Sequence, residues 1–317
     1  MKEQVSRVRI AEEVLARLDR TLKKCNLCFR KCGVDRTNGE KGYCAAGADL
    51  FVYAYGPHRG EEPSLSGSNG SGTIFFSGCN MGCVYCQNHK FSRKIAGSAV
   101  NISRLADMML ELEAEGCHNI NLVSPTPFMP QIVDALKRAF HGGLSVPIVY
   151  NTGGYDSLDL VRSLDGLIDI YLPDMRYSDD SMAEKYSDAP GYVKNNRAIV
   201  REMFSQTGTS SGMEQIAKKG LIIRLLMLPE DISGTLDTLE FIAKEIGPEV
   251  HISLMSQYYP AYIARAYPDL TVGITPGYYD QVVARMNDLG LEKGWIQPLK
   301  TRFDPDLAGE NFQHRSL

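Results

Sequence analysis

Long apolar runs are missing from this chain. Nowhere in its 317 residues does an uninterrupted apolar stretch approach the length of a membrane span, which excludes a helical integral membrane protein. The opening Met1-Lys2-Glu3-Gln4 begins a charged helical pattern and lacks the apolar core of a signal peptide, so a cytoplasmic location is expected. There is no repeat of solenoid type and no low-complexity tail. No Ser/His/Asp nucleophile set and no phosphate-binding Gly-rich loop offers a rival mechanism of comparable specificity. Spaced, disulfide-ready cysteines are missing too. Of eight cysteines, seven fall in two tight clusters and Cys117 alone stands apart, a distribution that points to metal binding in a reducing compartment. Cys117 reads as a small packing residue.

What is present is a composition of 44% hydrophobic and 23% charged residues, ordinary for a soluble globular protein. At this length one large α/β domain with a small appendage is expected. The net charge of −4 hides a mild asymmetry: residues 1–50 hold eleven Lys/Arg against seven Asp/Glu, leaving −8 for the remainder. A basic module could touch nucleic acid, but acids alternate with the bases throughout, and a solvated helix of mixed charge is the preferred reading.

The chemistry concentrates in Ser77-Gly78-Cys79-Asn80-Met81-Gly82-Cys83-Val84-Tyr85-Cys86-Gln87-Asn88. It follows Thr73-Ile74-Phe75-Phe76, an apolar run that reads as a buried strand. Thiolates are soft ligands for iron–sulfur clusters, zinc and Cu(I). Three of them can hold three irons of a [4Fe–4S] cube and leave the fourth open, where most such sites use four cysteines. A zinc knuckle short of one ligand is the weaker alternative, because zinc sites complete a set of four. The spacing C-x3-C-x2-C, with aromatic Tyr85 just before the last cysteine, resembles the signature of radical S-adenosylmethionine (radical SAM) enzymes. Glu61-Glu62-Pro63, Gly70-Ser71-Gly72-Thr73, Ser124-Pro125-Thr126-Pro127, Pro173-Asp174-Met175, Ser256-Gln257-Tyr258 and Trp295-Ile296-Gln297 extend that resemblance. They are similar to the branch around pyruvate formate-lyase-activating enzymes, over nearly the whole chain from Cys25.

A second set, Cys25-x2-Cys28-x3-Cys32 followed by Gly39, Gly42 and Cys44, supplies four thiolates. That completes a tetrahedral zinc site or the ligands of a second iron–sulfur cluster; the two stay open here. With no vacant position, its default role is structural or electron-relaying. Ahead of it, residues 3–24 carry Val5, Val8, Leu15, Leu18 and Leu22 in one helical stripe. Behind it, the Gly-, Ser- and Pro-rich stretch from Gly56 to Gly72 reads as a connecting loop. His58, Glu61 and Glu62 on that stretch read as surface residues before ligands or proton donors.

From Thr73 onward, candidate strands at 73–77, 119–123, 146–150, 167–172, 220–228 and 249–255 alternate with helical stretches near 103–115, 129–140, 157–164, 192–205 and 234–246. Ser103, Pro130 and Ser233 serve as starts and Gly116, Gly142 and Gly247 as stops. Six β/α units imply a parallel sheet with right-handed crossovers, short of the eight in a closed barrel. The resemblance implies the open form, a partial (β/α)6 TIM-type barrel with the Cys-rich module at its N-terminus. The expected divisions are 1–72 for helix, module and linker, 73–257 for the core, and 258–317 for a tyrosine-rich extension. In that extension, a helix near 276–289 and an extended 294–298 pack beside the last strand.

Ligands of parallel α/β sheets sit at the carboxyl ends of strands, so those ends hold the candidates. Related enzymes often carry a Gly-Gly-Glu after the second strand for the methionine ammonium of SAM. Here Ser124 and Thr126 stand there without the glutamate. Asn151 precedes Gly153-Gly154 after the third. Asp174-Met175-Arg176 resembles an Asp-x-Lys whose charges contact SAM in glycyl-radical-activating enzymes, and arginine adds a fork for a carboxylate. Arg224, alone in an apolar strand, either snorkels to the sheet edge or points inward toward an anion such as the SAM carboxylate. Tyr258 and Tyr259 follow the sixth strand and offer a π-face or phenol.

The resemblance implies that a reduced cluster cleaves SAM, chelated at the open iron, to methionine and a 5′-deoxyadenosyl radical. A one-electron donor such as flavodoxin or ferredoxin is implied. The expected role is activation or modification of another protein, similar to a glycyl-radical-enzyme activase. Radical chemistry on a small metabolite or peptide is the alternative, and a non-catalytic metal-binding interaction protein is the alternative from another class.

Overall fold

A computed structural model describes residues 2–209 and 215–299. Its strands are β1 (Leu50–His58), β2 (Ser71–Phe76), β3 (Ser98–Val100), β4 (Ile120–Val123), β5 (Ile148–Thr152), β6 (Ile170–Pro173), β7 (Gly220–Leu226), β8 (His251–Met255) and β9 (Gly294–Ile296). They form one sheet in the order β3-β1-β2-β4-β5-β6-β7-β8-β9. All pairings from β2 through to β9 are parallel, while β1 is antiparallel to both β2 and β3. The six expected strands are present, β9 adds a seventh parallel one, and the sheet ends at β3 and β9, so the barrel stays open.

Helices α1 (Lys2–Arg17), α2 (Pro63–Ser66) and α3 (His89–Ser92) lie before or between the first strands. The crossovers carry α4 (Ile102–Ala114), α5 (Met129–His141), α6 (Leu158–Ser163), α7 (Asp180–Ser187), α8 (Tyr192–Thr207), α9 (Thr235–Glu245) and α10 (Pro276–Asp288). Side chains alternate across each strand. On β5, Ile148 and Tyr150 join the core beneath the helices. Val149 joins Leu65, Ile170, Leu172 and Ile222 in a separate apolar cluster. Both faces of these strands are therefore buried, which is why they read as continuous apolar runs. Leu65, fully buried on α2, is the only member of that cluster's buried set from before the parallel strands. It acts as a plug, and burying a side chain of that size contributes about 1.5–3 kcal/mol.

Several expectations needed correction. The stretch from Gly56 to Gly72 is no simple loop, since it contains the end of β1, α2 and the start of β2. Neither expected boundary interrupts the sheet, because β1 and β9 join it from either side. Residues 300–317 of the expected C-terminal extension lie outside the described residues. The first helix stops at Arg17 rather than continuing to residue 24, and Arg20 turns with φ 68°. Its packed face is Ala11 and Val14, with Leu18 just beyond, whereas Val5 is 66% exposed. Asn101 rather than Ser103 caps α4, its side chain accepting from the Arg104 N–H at 2.8 Å.

Candidate active site

The loop after β2 is held by three backbone hydrogen bonds to α3 and α7. Gly78 N donates to Phe91 O (2.8 Å), Gly82 N to Ser187 O (2.7 Å) and Val84 N to Tyr186 O (2.9 Å). Gly78 sits at φ +81°, where a Cβ would meet the Cys44 carbonyl oxygen at 2.5 Å, so glycine is required. Each sulfur of the loop has a polar neighbour. Met81 N donates to Cys79 Sγ (3.4 Å), Ser187 Oγ donates to Cys83 Sγ (3.0 Å), and Cys86 Sγ lies 3.3 Å from Ser92 Oγ. Burial, then the neighbouring Cys83, pushes the Cys79 thiol up to about 12, and the same two causes raise Cys86. Tyr85 Oη pairs with Tyr177 Oη at 2.7 Å, and burial followed by Cys83 lifts it to about 12.

These three cysteines line a cavity of about 590 Å³ that continues into the barrel lumen. On its wall Asp174, 4% exposed, lies between two guanidinium groups. Arg176 Nη2 donates to Asp174 Oδ2 at 2.5 Å and Arg224 Nε to Oδ1 at 2.9 Å, while Arg224 Nη2 donates to Asn151 Oδ1 at 2.6 Å. Asp174 and Arg224 are also paired through a parallel bridge of the backbone. Burial is the largest influence and works against both arginine charges, but Asp174, with Cys83 and Tyr85 at Arg176 and with Glu62 and Glu61 at Arg224, holds both above the ordinary guanidinium value. Arg224 therefore points inward. Beyond it, Arg224 Nη1 stands 3.9 Å from Glu61 Oε2, and His58 Nδ1 3.6 Å from Glu61 Oε1.

Of the residues singled out from sequence, Tyr85, Ser124, Asn151, Asp174, Arg176 and Arg224 line the cavity beside the three cysteines. Ser124 has a left-handed backbone (φ 56°) and donates its N–H to Asn151 O at 2.9 Å. Thr126 is a correction. Its hydroxyl donates to Asp156 Oδ1 at 2.6 Å and it does not line the cavity. The expectation for His58, Glu61 and Glu62 is overturned as well: all three line the cavity, with His58 and Glu62 buried and Glu61 half-buried. The antiparallel return of β1 folds them inward, and composition gave no sign of it. The overlooked signal was Leu50-Phe51-Val52-Tyr53-Ala54-Tyr55, an apolar run long enough for a strand.

The N-terminal cysteines do not line the cavity. Their module docks on the turn after β5: Cys28 bridges Asp156, Phe29 N donates to Tyr155 O (3.1 Å) and Ser157 N to Leu27 O (3.1 Å). Asp156, also missed from sequence, braces that turn by accepting from Thr126, Tyr150 and Thr152, each at 2.6 Å. Burial pushes the Cys28 thiol up to about 12 and raises Cys25, and Cys44 adds to both. Cys25 also feels Cys32, whose Sγ fills the space where a Cβ on Gly42 would sit. The two cysteine loops touch: Arg30 Nε donates to Asn80 O at 2.7 Å.

Among the described residues, no three His, Cys, Asp or Glu side chains already stand as a finished metal-binding group. Fit therefore rests on donor chemistry. Three thiols sharing one cavity suit a cluster with an open iron, and four clustered thiols suit a closed site.

A family model of the radical SAM superfamily matches residues 73–242. With that span across the cysteine loop and five of the parallel strands, this chain belongs to the radical SAM superfamily. Such membership carries with it a [4Fe–4S] cluster and SAM. An uncharacterized protein of Methanocaldococcus jannaschii is 27% identical over 264 residues, covering 80% of this chain and 71% of that one. Among solved structures, HydG, a maturase of the [FeFe]-hydrogenase, gives a TM-score of 0.50 at 13% identity over 96% of this chain and 68% of its own. That likeness is one of fold. Native anSMEcpe with bound AdoMet gives 0.45 at 11% identity, over 67% of this chain, which spans 57% of that protein's length. No helix among the described residues is long and apolar enough to cross a membrane.

Proposed function

We propose that this chain reductively cleaves SAM at the Cys79, Cys83 and Cys86 loop and uses the radical on a substrate group small enough to enter the lumen. When bound, cluster and SAM together supply a one-electron reduction and a primary carbon radical; this hard chemistry belongs to the cofactors. The chain supplies position and dryness. Asp174, fixed between Arg176 and Arg224 on the cavity wall, is the observation that carries the reading. Asp174 and Arg176 hold the charged ends of SAM, Arg224 and Asn151 brace Asp174, and Tyr85 closes the loop side. Apolar Val123, Leu226 and Met255 on the same wall keep water from the reacting centre.

A lumen cavity of about 590 Å³ favours a small metabolite or peptide group. Activation of a protein partner, in the manner of a glycyl-radical-enzyme activase, is the second reading. It is supported by the Asp174-Met175-Arg176 motif and the other segments similar to activating enzymes, and it needs a partner segment that reaches the same lumen. The N-terminal cysteines hold zinc or a second iron–sulfur cluster, with flavodoxin or ferredoxin as the electron source. The test is anaerobic reconstitution followed by reduction with SAM present. Production of 5′-deoxyadenosine is expected, and its absence from protein with a full complement of cluster iron overturns the proposal.

A further inference from the structure

We propose that Glu61 and Glu62 form a recognition site for a cationic nitrogen of the substrate (an ammonium, amidinium or guanidinium group) at the end of the lumen away from the cysteine loop. The inference rests on the reading of the lumen as a radical SAM active site and gives its substrate a chemical class.

Topology sets the position. His58, at the end of β1, pairs with Ser71, the first residue of β2, whereas the cysteine loop leaves from the opposite end of that strand at Phe76. Glu61 and Glu62 follow His58 and lead into α2, whose Leu65 belongs to the apolar plug. They line the same cavity as the cysteines but enter it from the other end. In the reading above, the methionyl group of SAM lies with the cysteine loop, so a group held by these glutamates belongs to the second reactant.

Charge and hydrogen bonding set the chemistry. The wall carries three carboxylates, Asp174, Glu61 and Glu62, and three guanidinium groups, Arg59, Arg176 and Arg224, of which Arg59 is exposed. Arg176 is committed to Asp174 at 2.5 Å. Arg224 sits 2.9 Å from Asp174 and 3.9 Å from Glu61. Glu62 also feels the Arg224 charge. It is 7% exposed, and its Oε2 is buried without a hydrogen-bond partner. Gln257, on the same cavity, also has a buried, unpartnered acceptor, Oε1. Leaving a carboxylate so placed is costly unless a charged donor meets it. Burial raises Glu62 despite Arg224, whereas His58 and Arg224 help to hold Glu61 down against burial, so Glu62 is the less well satisfied carboxylate of the pair.

The test uses oxidised, cluster-loaded protein saturated with SAM and without reductant, titrated by calorimetry. The probes are n-butylammonium, n-butylguanidinium, n-butanol and butyrate. The two cations are expected to bind about tenfold or more tighter than the alcohol or the anion. Glu62→Gln, which keeps the shape, should remove that preference, and Glu62→Asp, which keeps the charge, should restore part of it. Equal binding of butanol and butylammonium by the wild-type protein overturns the proposal without recourse to any variant. An undiminished cation preference in well-folded Glu62→Gln overturns it too. If butylammonium instead competes with SAM, and Glu62→Gln loses SAM affinity, the carboxylate serves SAM and the substrate assignment falls. No turnover is involved, so a failure of SAM cleavage and a failure of cation binding are read separately.

Discussion

Cys79, Cys83 and Cys86 line the lumen, while Cys25, Cys28, Cys32 and Cys44 sit on a module docked outside it. The two loops share ligand type and glycine content, and burial lifts Cys79 and Cys28 alike to about 12, although Cys32 is exposed. They differ in what surrounds them. The first loop faces a cavity with a charged wall, and one ligand short of four it has a position for a second molecule. The second set, proposed above as a closed site of four thiolates, lies away from that cavity. The difference teaches that ligand count and cavity access, rather than the cysteines themselves, separate a reactive centre from a closed one.

The sharpest way to break the comparison is to remove ligands from each loop in turn. Cys83→Ala should abolish reductive SAM cleavage, measured as 5′-deoxyadenosine; full activity in that variant would rule out the ligand set. Replacing Cys25, Cys28, Cys32 and Cys44 together with Ser should leave SAM binding at the other loop. Because a structural metal contributes directly to folding, the Tm should fall by roughly 5–10 °C. Metal analysis sharpens the result: one zinc with about four irons, or about eight irons and no zinc. All four thiols free to alkylation in folded protein would remove the closed site.

A smaller effect is expected at the wall that only one loop faces. Asp174→Asn leaves Arg176 and Arg224 without their shared partner, and should weaken SAM binding about tenfold or more while cluster iron is unchanged. Equilibrium dialysis with labelled SAM measures it, and unchanged affinity would reduce Asp174 to a structural ion pair. Next comes the contact between the loops. Gly78→Ala places a Cβ against the Cys44 carbonyl at a positive φ, and should cost about 1–3 kcal/mol in chemical denaturation. The smallest change is Arg30→Met, which loses the 2.7 Å bond to Asn80 O and about 1 kcal/mol. A larger loss there than at Gly78 would mean that the loops are joined mainly through Arg30.

The cysteine spacing, the six parallel strands and the helices between them were legible in the chain because each is a local pattern. Three thiols within eight residues of one loop share a site wherever the chain goes. A buried strand must be apolar whatever lies beside it, as Thr73-Ile74-Phe75-Phe76 illustrates. Asp174 and Arg224 were visible as charged residues at strand ends, but their pairing was not, since it depends on the register that sets β6 against β7. Thr126 shows the limit in the other direction: its place after a strand was right, yet its hydroxyl turns to Asp156, a partner thirty residues further on.

Tertiary structure alone decided where Glu61 and Glu62 went. Their stretch has the composition of a surface loop, and only the antiparallel return of β1, together with the plug at Leu65, buries them on the lumen wall. Contact between the two cysteine loops was likewise decided by docking, through a bridge from Cys28 to Asp156 that no local pattern encodes. Spacing along the chain determines which ligands can act together. Whether they meet a cavity, a charge or another loop depends on contacts between distant segments, and those exist only once the sheet has assembled.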